Sequence, residues 1–152
     1  MDPKSFLHRL LHAFDAPEPA PLPEPDEKLA LGTLLVRVAK SDLEYAFAEI
    51  SQIDKLLTRL FGLGPIEAAK MRATCERLDK EAPDTEKFAQ IIRQMVSFDA
   101  RLDALEALWE VVLVDGAIQS QEIDVISQVQ TVLGLSEEDS IEAKAKAMQQ
   151  MG

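Results

Sequence analysis

Four carboxylates stand out for the way they pair. Asp42 is followed seven residues later by Glu49, and Asp115 by Glu122 at the same interval. Carboxylates offer only oxygen donors, so two such pairs brought face to face would suit a hard divalent cation. The same residues have a structural use. An Asp in a turn accepts hydrogen bonds from backbone amides, and a Glu in the first helical turn favours the positive end of the helix dipole. The twelve-residue calcium loop, with its acids at fixed positions, is absent. Asp115, Glu122, Asp42 and Glu49 are therefore a hypothetical metal set, with turn stabilisation as the alternative.

Other reactive side chains are sparse. His8 and His12, the only histidines, are four apart, a spacing that can place two ligands of a transition metal on one helix face, with Asp15 in reach as a third. No His-Glu-x-x-His string accompanies them, and their Phe and Leu neighbours suit a docking face. Cys75 is the single cysteine, which excludes an intramolecular disulfide and a cysteine-based zinc cluster. Glycine-rich phosphate loops and the Gly-x-Ser-x-Gly nucleophile string are missing. The reading is a non-enzymatic chain with no catalytic residues and no certain cofactor, a divalent cation being the one candidate. A small carboxylate-dependent hydrolase would need a concave pocket and a carboxylate of raised pKa.

These residues must be positioned by a body of 152 residues, 47% hydrophobic and 28% charged, enough for one domain with a real core. The net charge of −11 repels phosphate, so no nucleic-acid partner is expected. The apolar run from Leu108 to Val114 is interrupted by Glu110 and falls far short of the roughly 20 residues a membrane span needs. No secretory signal is visible, and a cytoplasmic location is expected. Any membrane association would be indirect, through a complex or the N-terminal segment.

Three parts follow along the chain. In residues 1–14, Phe6, Leu7, Leu10, Leu11 and Phe14 recur on one helical face, a short amphipathic helix that must rest on something to be stable. Residues 15–27 hold five of the eight prolines and five acids without a base, an extended linker. Residues 28–152 read as helical throughout. Apolar spacing predicts helices over 27–40, 44–61, from Pro65 to about 80, around Phe88 to Met95, over 99–114 and 120–133, and one from Ser136 onward. Ser41 with Glu44 is a candidate capping box for the second, which would bury Phe47, Ile50, Ile53, Leu57 and Leu60. Met95 is expected inward on the fourth, and Trp109 in the core. Gly62, and Gly64 followed by Pro65, fit a left-handed stop and a helix restart.

The most informative feature is a repeat. LLVRVAKSDLEYAFAEISQIDKLLTRLFGLG from Leu34 aligns with LWEVVLVDGAIQSQEIDVISQVQTVLGLS from Leu108: an apolar helix, an acidic turn, an amphipathic helix, then Gly-Leu. A duplicated helix hairpin follows, an all-α bundle of about six to seven helices preceded by the short amphipathic helix, with residues 65–96 as the connection.

An apolar helix ending in Val114-Asp115-Gly116, then Glu122-Ile123 and Leu133-Gly134-Leu135-Ser136, resembles the TerB-like family, named for tellurite-resistance protein B. The likeness spans roughly residues 28–140. It implies an all-helical cytosolic domain in bacterial stress-response or membrane-associated complexes, a divalent-cation site at the acidic turns, and no established catalysis. The function implied is an interaction module acting through protein contacts, with a dedicated metal-binding or sensing domain as the alternative. The protein partner is unidentified, and a homodimer through the tethered N-terminal helix is open. One departure is Leu43 in the first turn where the second has Gly116. Leucine tolerates a positive φ poorly, so a different backbone is expected there.

Overall fold

The structure, a computed structural model, describes residues 22–41, 43–82, 84–114, 116 and 118–151. The expected N-terminal helix and most of the linker lie outside them. Among the described residues the secondary structure is seven helices: α1 (Glu27–Lys40), α2 (Phe47–Phe61), α3 (Pro65–Glu81), α4 (Thr85–Met95), α5 (Phe98–Leu113), α6 (Ser120–Val132) and α7 (Glu137–Met151). The all-helical expectation holds.

Local chemistry sets most boundaries. The Asp26 carboxylate accepts the Leu29 amide at 2.8 Å and Ser97 Oγ that of Ala100 at 3.3 Å, opening α1 and α5. Gly62 takes the left-handed conformation at φ 65° and stops α2, and Pro65 opens α3. Ser136 and Asp139 form a reciprocal box, each side chain on the other's amide, at 3.0 and 2.9 Å.

The second helix starts later than the spacing predicts. Ser41 does not cap it: both its hydroxyl and its amide turn back to the Val38 carbonyl, at 2.7 and 3.2 Å, and close α1. Helix α2 begins at Phe47, whose side chain is 83% exposed rather than buried. Met95, the last residue of α4, is likewise exposed. Both stand at helix ends, where the apolar stripe continues but the neighbouring described helices do not cover it.

Helices α1 and α5 form the centre. Helix α1 packs against α2 and α3, and α5 against α6 and α7, while each hairpin's second helix also crosses to the other half, α2 onto α5 and α6 onto α1. The packing repeat thus takes in a third helix: α3 lies on α1 as α7 lies on α5. Only α4, resting on α1, α5 and α6, stands outside the repeat as a connector. The core is built from Leu34, Leu35 and Val38 of α1 with Leu105, Leu108 and Val112 of α5, closed by Ile53, Leu57, Phe88 and Ile126. Trp109 is buried as expected, and its indole N–H donates to Ser140 Oγ at 3.1 Å, tying α5 to α7. Cys75 is buried against Gly32, where α3 crosses α1 so closely that a Cβ on the glycine would meet the sulfur at 2.5 Å.

Each central helix carries a charged residue at the equivalent position of the repeat, Arg37 on α1 and Glu110 on α5. Arg37 of α1 reaches the end of α3: Nε donates to Asp79 Oδ1 at 2.7 Å, Nη2 to the Asp79 carbonyl at 2.9 Å and to that of Ala82, and Nη1 to Thr85 Oγ1 at 3.2 Å. It ties α3, α4 and their link to α1 and satisfies orphan carbonyls of a helix C-terminus. Its counterpart on α5 is Glu110, 1% exposed, which accepts from Arg59 of α2 at 2.6 and 3.3 Å.

Candidate functional site

The two acidic turns match at the residues described in both. Helix α1 closes with the Leu43 amide on the Lys40 carbonyl at 3.0 Å, and α5 with the Gly116 amide on the Leu113 carbonyl at 3.1 Å. Gly116 has φ 78°, as its type allows, but Leu43 has φ 68°. The expectation of a different first turn is therefore wrong: the leucine adopts the left-handed conformation that glycine takes in the second. Its side chain is 98% exposed, so it meets no steric obstacle beyond its own backbone.

Three residues further on, each turn enters its next helix through a residue in extended conformation, Ala46 at ψ 154° and Gln119 at ψ 150°. Their carbonyls accept the first helical amides, those of Glu49 and Ile50 in one turn and of Glu122 and Ile123 in the other, at 3.1 to 3.2 Å. Glu49 and Glu122 then reach back. Oε1 of Glu49 accepts the Ala46 amide at 3.2 Å, and Oε1 of Glu122 the Gln119 amide at 3.0 Å. This is the returning half of a capping box, set at the positive end of the helix dipole. Both glutamates are buried. Burial of an ionised carboxylate is costly without such donors, and the helix terminus supplies them.

Asp42 and Asp115, the other members of the proposed metal set, lie outside the described residues. Among the described residues no group of three or more His, Cys, Asp or Glu is placed to hold a metal ion. His8, His12 and Asp15 also fall outside. The donors that the turns carry are oxygens alone, which fits magnesium, calcium or manganese rather than zinc or copper.

Sequence reasoning missed a second polar cluster near α2. Gln52 and Arg59 both approach the Glu110 carboxylate, Gln52 at 3.5 Å, so a buried acid of one half is satisfied by the second helix of the other. The hydrogen bond to Glu110 raises the Arg59 guanidinium above its ordinary value despite the opposing effect of burial. One turn before, Glu106 is pushed above the usual carboxylate range by burial, then by the charges of Glu110 and Asp103. The only hint in the sequence was Glu110 within an apolar run. Its partner is distant along the chain and has no periodic signature.

A family model described as Tellurite resistance protein TerB matches residues 28–145. No curated protein and no solved structure matches the chain.

Proposed function

Since the chain belongs to the TerB family of tellurite-resistance proteins, we propose that it is a non-catalytic helical module whose two acidic turns form a contact surface for a protein partner. It would act in the cytoplasm, within a bacterial stress-response assembly. Among the described residues no helix is long and apolar enough to cross a membrane, and any membrane association would be indirect, through a complex or the N-terminal helix. The observation that carries the reading is the pair of equivalent turns. Each presents an acid-bearing loop at a helix N-terminus and is held from beneath by a buried glutamate, Glu49 or Glu122. A surface built twice on one rigid core is pre-organised for contact, which lowers the ordering cost of binding.

A divalent cation is the second reading, favoured by the burial of Glu49 and Glu122, each seven residues after an aspartate, Asp42 or Asp115, in a strongly acidic chain. Glu122 with Asp115, and Glu49 with Asp42, would hold the ion, which would order the turns and neutralise their charge.

Two experiments test the readings separately. Thermal unfolding, followed by Trp109 fluorescence, is measured in chelator and in millimolar magnesium, calcium or manganese, for the full chain and for Asp115→Asn with Glu122→Gln. A filled site at a hundredfold its dissociation constant stabilises by about 2.7 kcal/mol, several degrees for a domain of this size. An ion-specific shift that the double variant abolishes supports the cation reading, and no shift with any ion removes it. For the contact surface, full-length protein captures partners from its source lysate beside Asp42→Asn with Asp115→Asn. A partner retained by the first and lost from the second supports the proposal, and identical capture overturns it.

A further inference from the structure

The start of the described chain leads into one wall of an apolar groove. Residues 22–26 lead into α1, with Leu22 half-buried against the core, and Glu27 at the start of α1 forms one wall. Opposite it the ends of α2 and α4 meet the start of α5, and Leu31, Leu60, Phe61, Ile92 and Val96 line a cavity of about 190 Å³. Asp103 stands with Glu27 as the acids among its walls. Leu60, Phe61 and Val96 are only half-covered, so apolar surface continuous with the core is left open. The volume is well below the roughly 300–1,000 Å³ of small-molecule and cofactor sites. It suits large apolar side chains inserted one or two at a time.

We propose that this groove is the docking site for residues 6–14 of the same chain. The segment carries anchors at the spacing a groove reads from a helix, Phe6, Leu10 and Phe14 on one line with Leu7 and Leu11 beside them. Tether length permits it: the eight residues from Phe14 to Leu22, proline-rich and extended, reach about 25 Å at roughly 3.1 Å per residue. Leu22 lies five residues ahead of Glu27, so the tether starts within about 17 Å of the groove wall, inside that reach.

Proximity to the tether and charge favour this groove over the larger cavity between α2 and α3. That cavity, about 480 Å³, is bordered by Lys55, Arg59, Arg72 and Asp54, but Arg59 is paired with Glu110 and Arg72 with Asp54 and Glu76, so its charge is close to balanced. The docking segment is itself basic through Lys4 and Arg9, with a net charge of +1 over residues 1–14. It is attracted by Glu27 and Asp103, which outnumber Lys28 over the Phe61 ring. The acidic linker, unsuited to an acid-rimmed groove, serves as tether. Short as it is, the segment becomes stable as a helix only when its apolar face is covered.

The test keeps the full chain. Leu10→Cys is combined with Val96→Cys in the groove, or with Thr58→Cys beside the α2–α3 cavity, and disulfide formation under mild oxidation is followed by non-reducing electrophoresis. Cys75, buried, does not compete. Thr58 is the more exposed of the two positions, so an undocked tether favours it. An intramolecular bond forming at least about tenfold faster with Val96→Cys is expected from the local concentration that docking creates. Equal rates, or a faster bond at Thr58→Cys, overturn the proposal. A covalent dimer through Val96→Cys also overturns it, by assigning the groove to a second copy. In a second measurement, free of new cysteines, amide exchange compares the wild type with Leu7→Ser plus Leu10→Ser. Loss of protection confined to residues near 60–63 and 92–97 is expected, and an unchanged pattern there overturns the docking.

Discussion

Leu43 holds at φ 68° the same left-handed turn that Gly116 holds at φ 78°, each donating its amide to the third carbonyl before it. A side chain in this region costs about 1–2 kcal/mol, which Gly116 avoids and Leu43 incurs. The first turn is therefore kept in shape by its surroundings against local preference.

Leu43→Gly is expected to stabilise the protein by about 1 kcal/mol, the released strain less the extra freedom glycine gives the unfolded chain. Almost no burial is lost, because the leucine is exposed. Gly116→Leu should destabilise by about 1–2 kcal/mol through backbone strain alone. No neighbouring atom lies within 4 Å of the added Cβ. Urea midpoints read from Trp109 fluorescence check both signs.

Glu49→Ala and Glu122→Ala should each destabilise by about 1–2 kcal/mol, since each removes the acceptor of a helix-start amide and opens a buried space. The Gln variants keep an oxygen on that amide and should cost less. Denaturation in chelator ranks Ala below Gln at both positions. A Gln variant as stable as wild type in chelator, but with no ion-dependent shift, would assign the charge to the cation and the hydrogen bond to the fold.

Arg59→Met leaves Glu110 buried without its guanidinium, and the expected loss is about 2 kcal/mol. This is below the roughly 3–5 kcal/mol of a fully buried pair, because the Arg59 side chain is 48% exposed and solvent screens it. Adding Glu110→Leu to Arg59→Met should recover part of the loss. A double-mutant cycle in urea measures the coupling, and strict additivity contradicts it.

Acid titration should show Glu106. Its folded-state pKa is raised above the unfolded value, so the folded chain holds this proton more tightly. Its ionisation opposes folding at neutral pH, and that penalty is relieved as pH falls through the raised value. Glu106→Gln should accordingly raise stability at pH 7 and make no difference below the ordinary carboxylate range. Paired thermal melts across that interval test the direction.

Gly32→Ala sets two effects against each other. Alanine improves an interior helix position by about 1 kcal/mol, but here its methyl meets the Cys75 sulfur within the core, an overpacking worth about 1–3 kcal/mol. Net destabilisation is expected, and Cys75→Ala in the same chain should reverse it. Burial also pushes the Cys75 thiol up to about 12, so in the native protein it should react with a thiol reagent only through opening of the fold. The labelling rate should rise with urea in step with unfolding.

Much of this architecture was legible in the sequence where a residue answers to its own backbone. Gly62 and Pro65 mark a stop and a start because few other residues suit those conformations, and the acidic turns showed in the repeat of Asp42 and Glu49 at Asp115 and Glu122. Phe47 and Met95 misled because periodicity gives the direction of a side chain and not whether a neighbouring helix extends far enough to cover it. Ser41 was ambiguous for a related reason: a hydroxyl between two helices can serve either, and it served the earlier. Glu110 and Arg37 were invisible as partners, since their bonds join residues far apart in the chain.

The crosswise packing of α2 on α5 and α6 on α1 has a thermodynamic consequence. Each half completes its interior with a helix of the other, so the two are expected to melt together. The helix that follows each turn is packed on the other half's central helix, and free energy added at one, by an ion, a partner or a substitution, is expected to be shared with both. The molecule thus answers as a single unit to whatever engages either end of its duplicated frame.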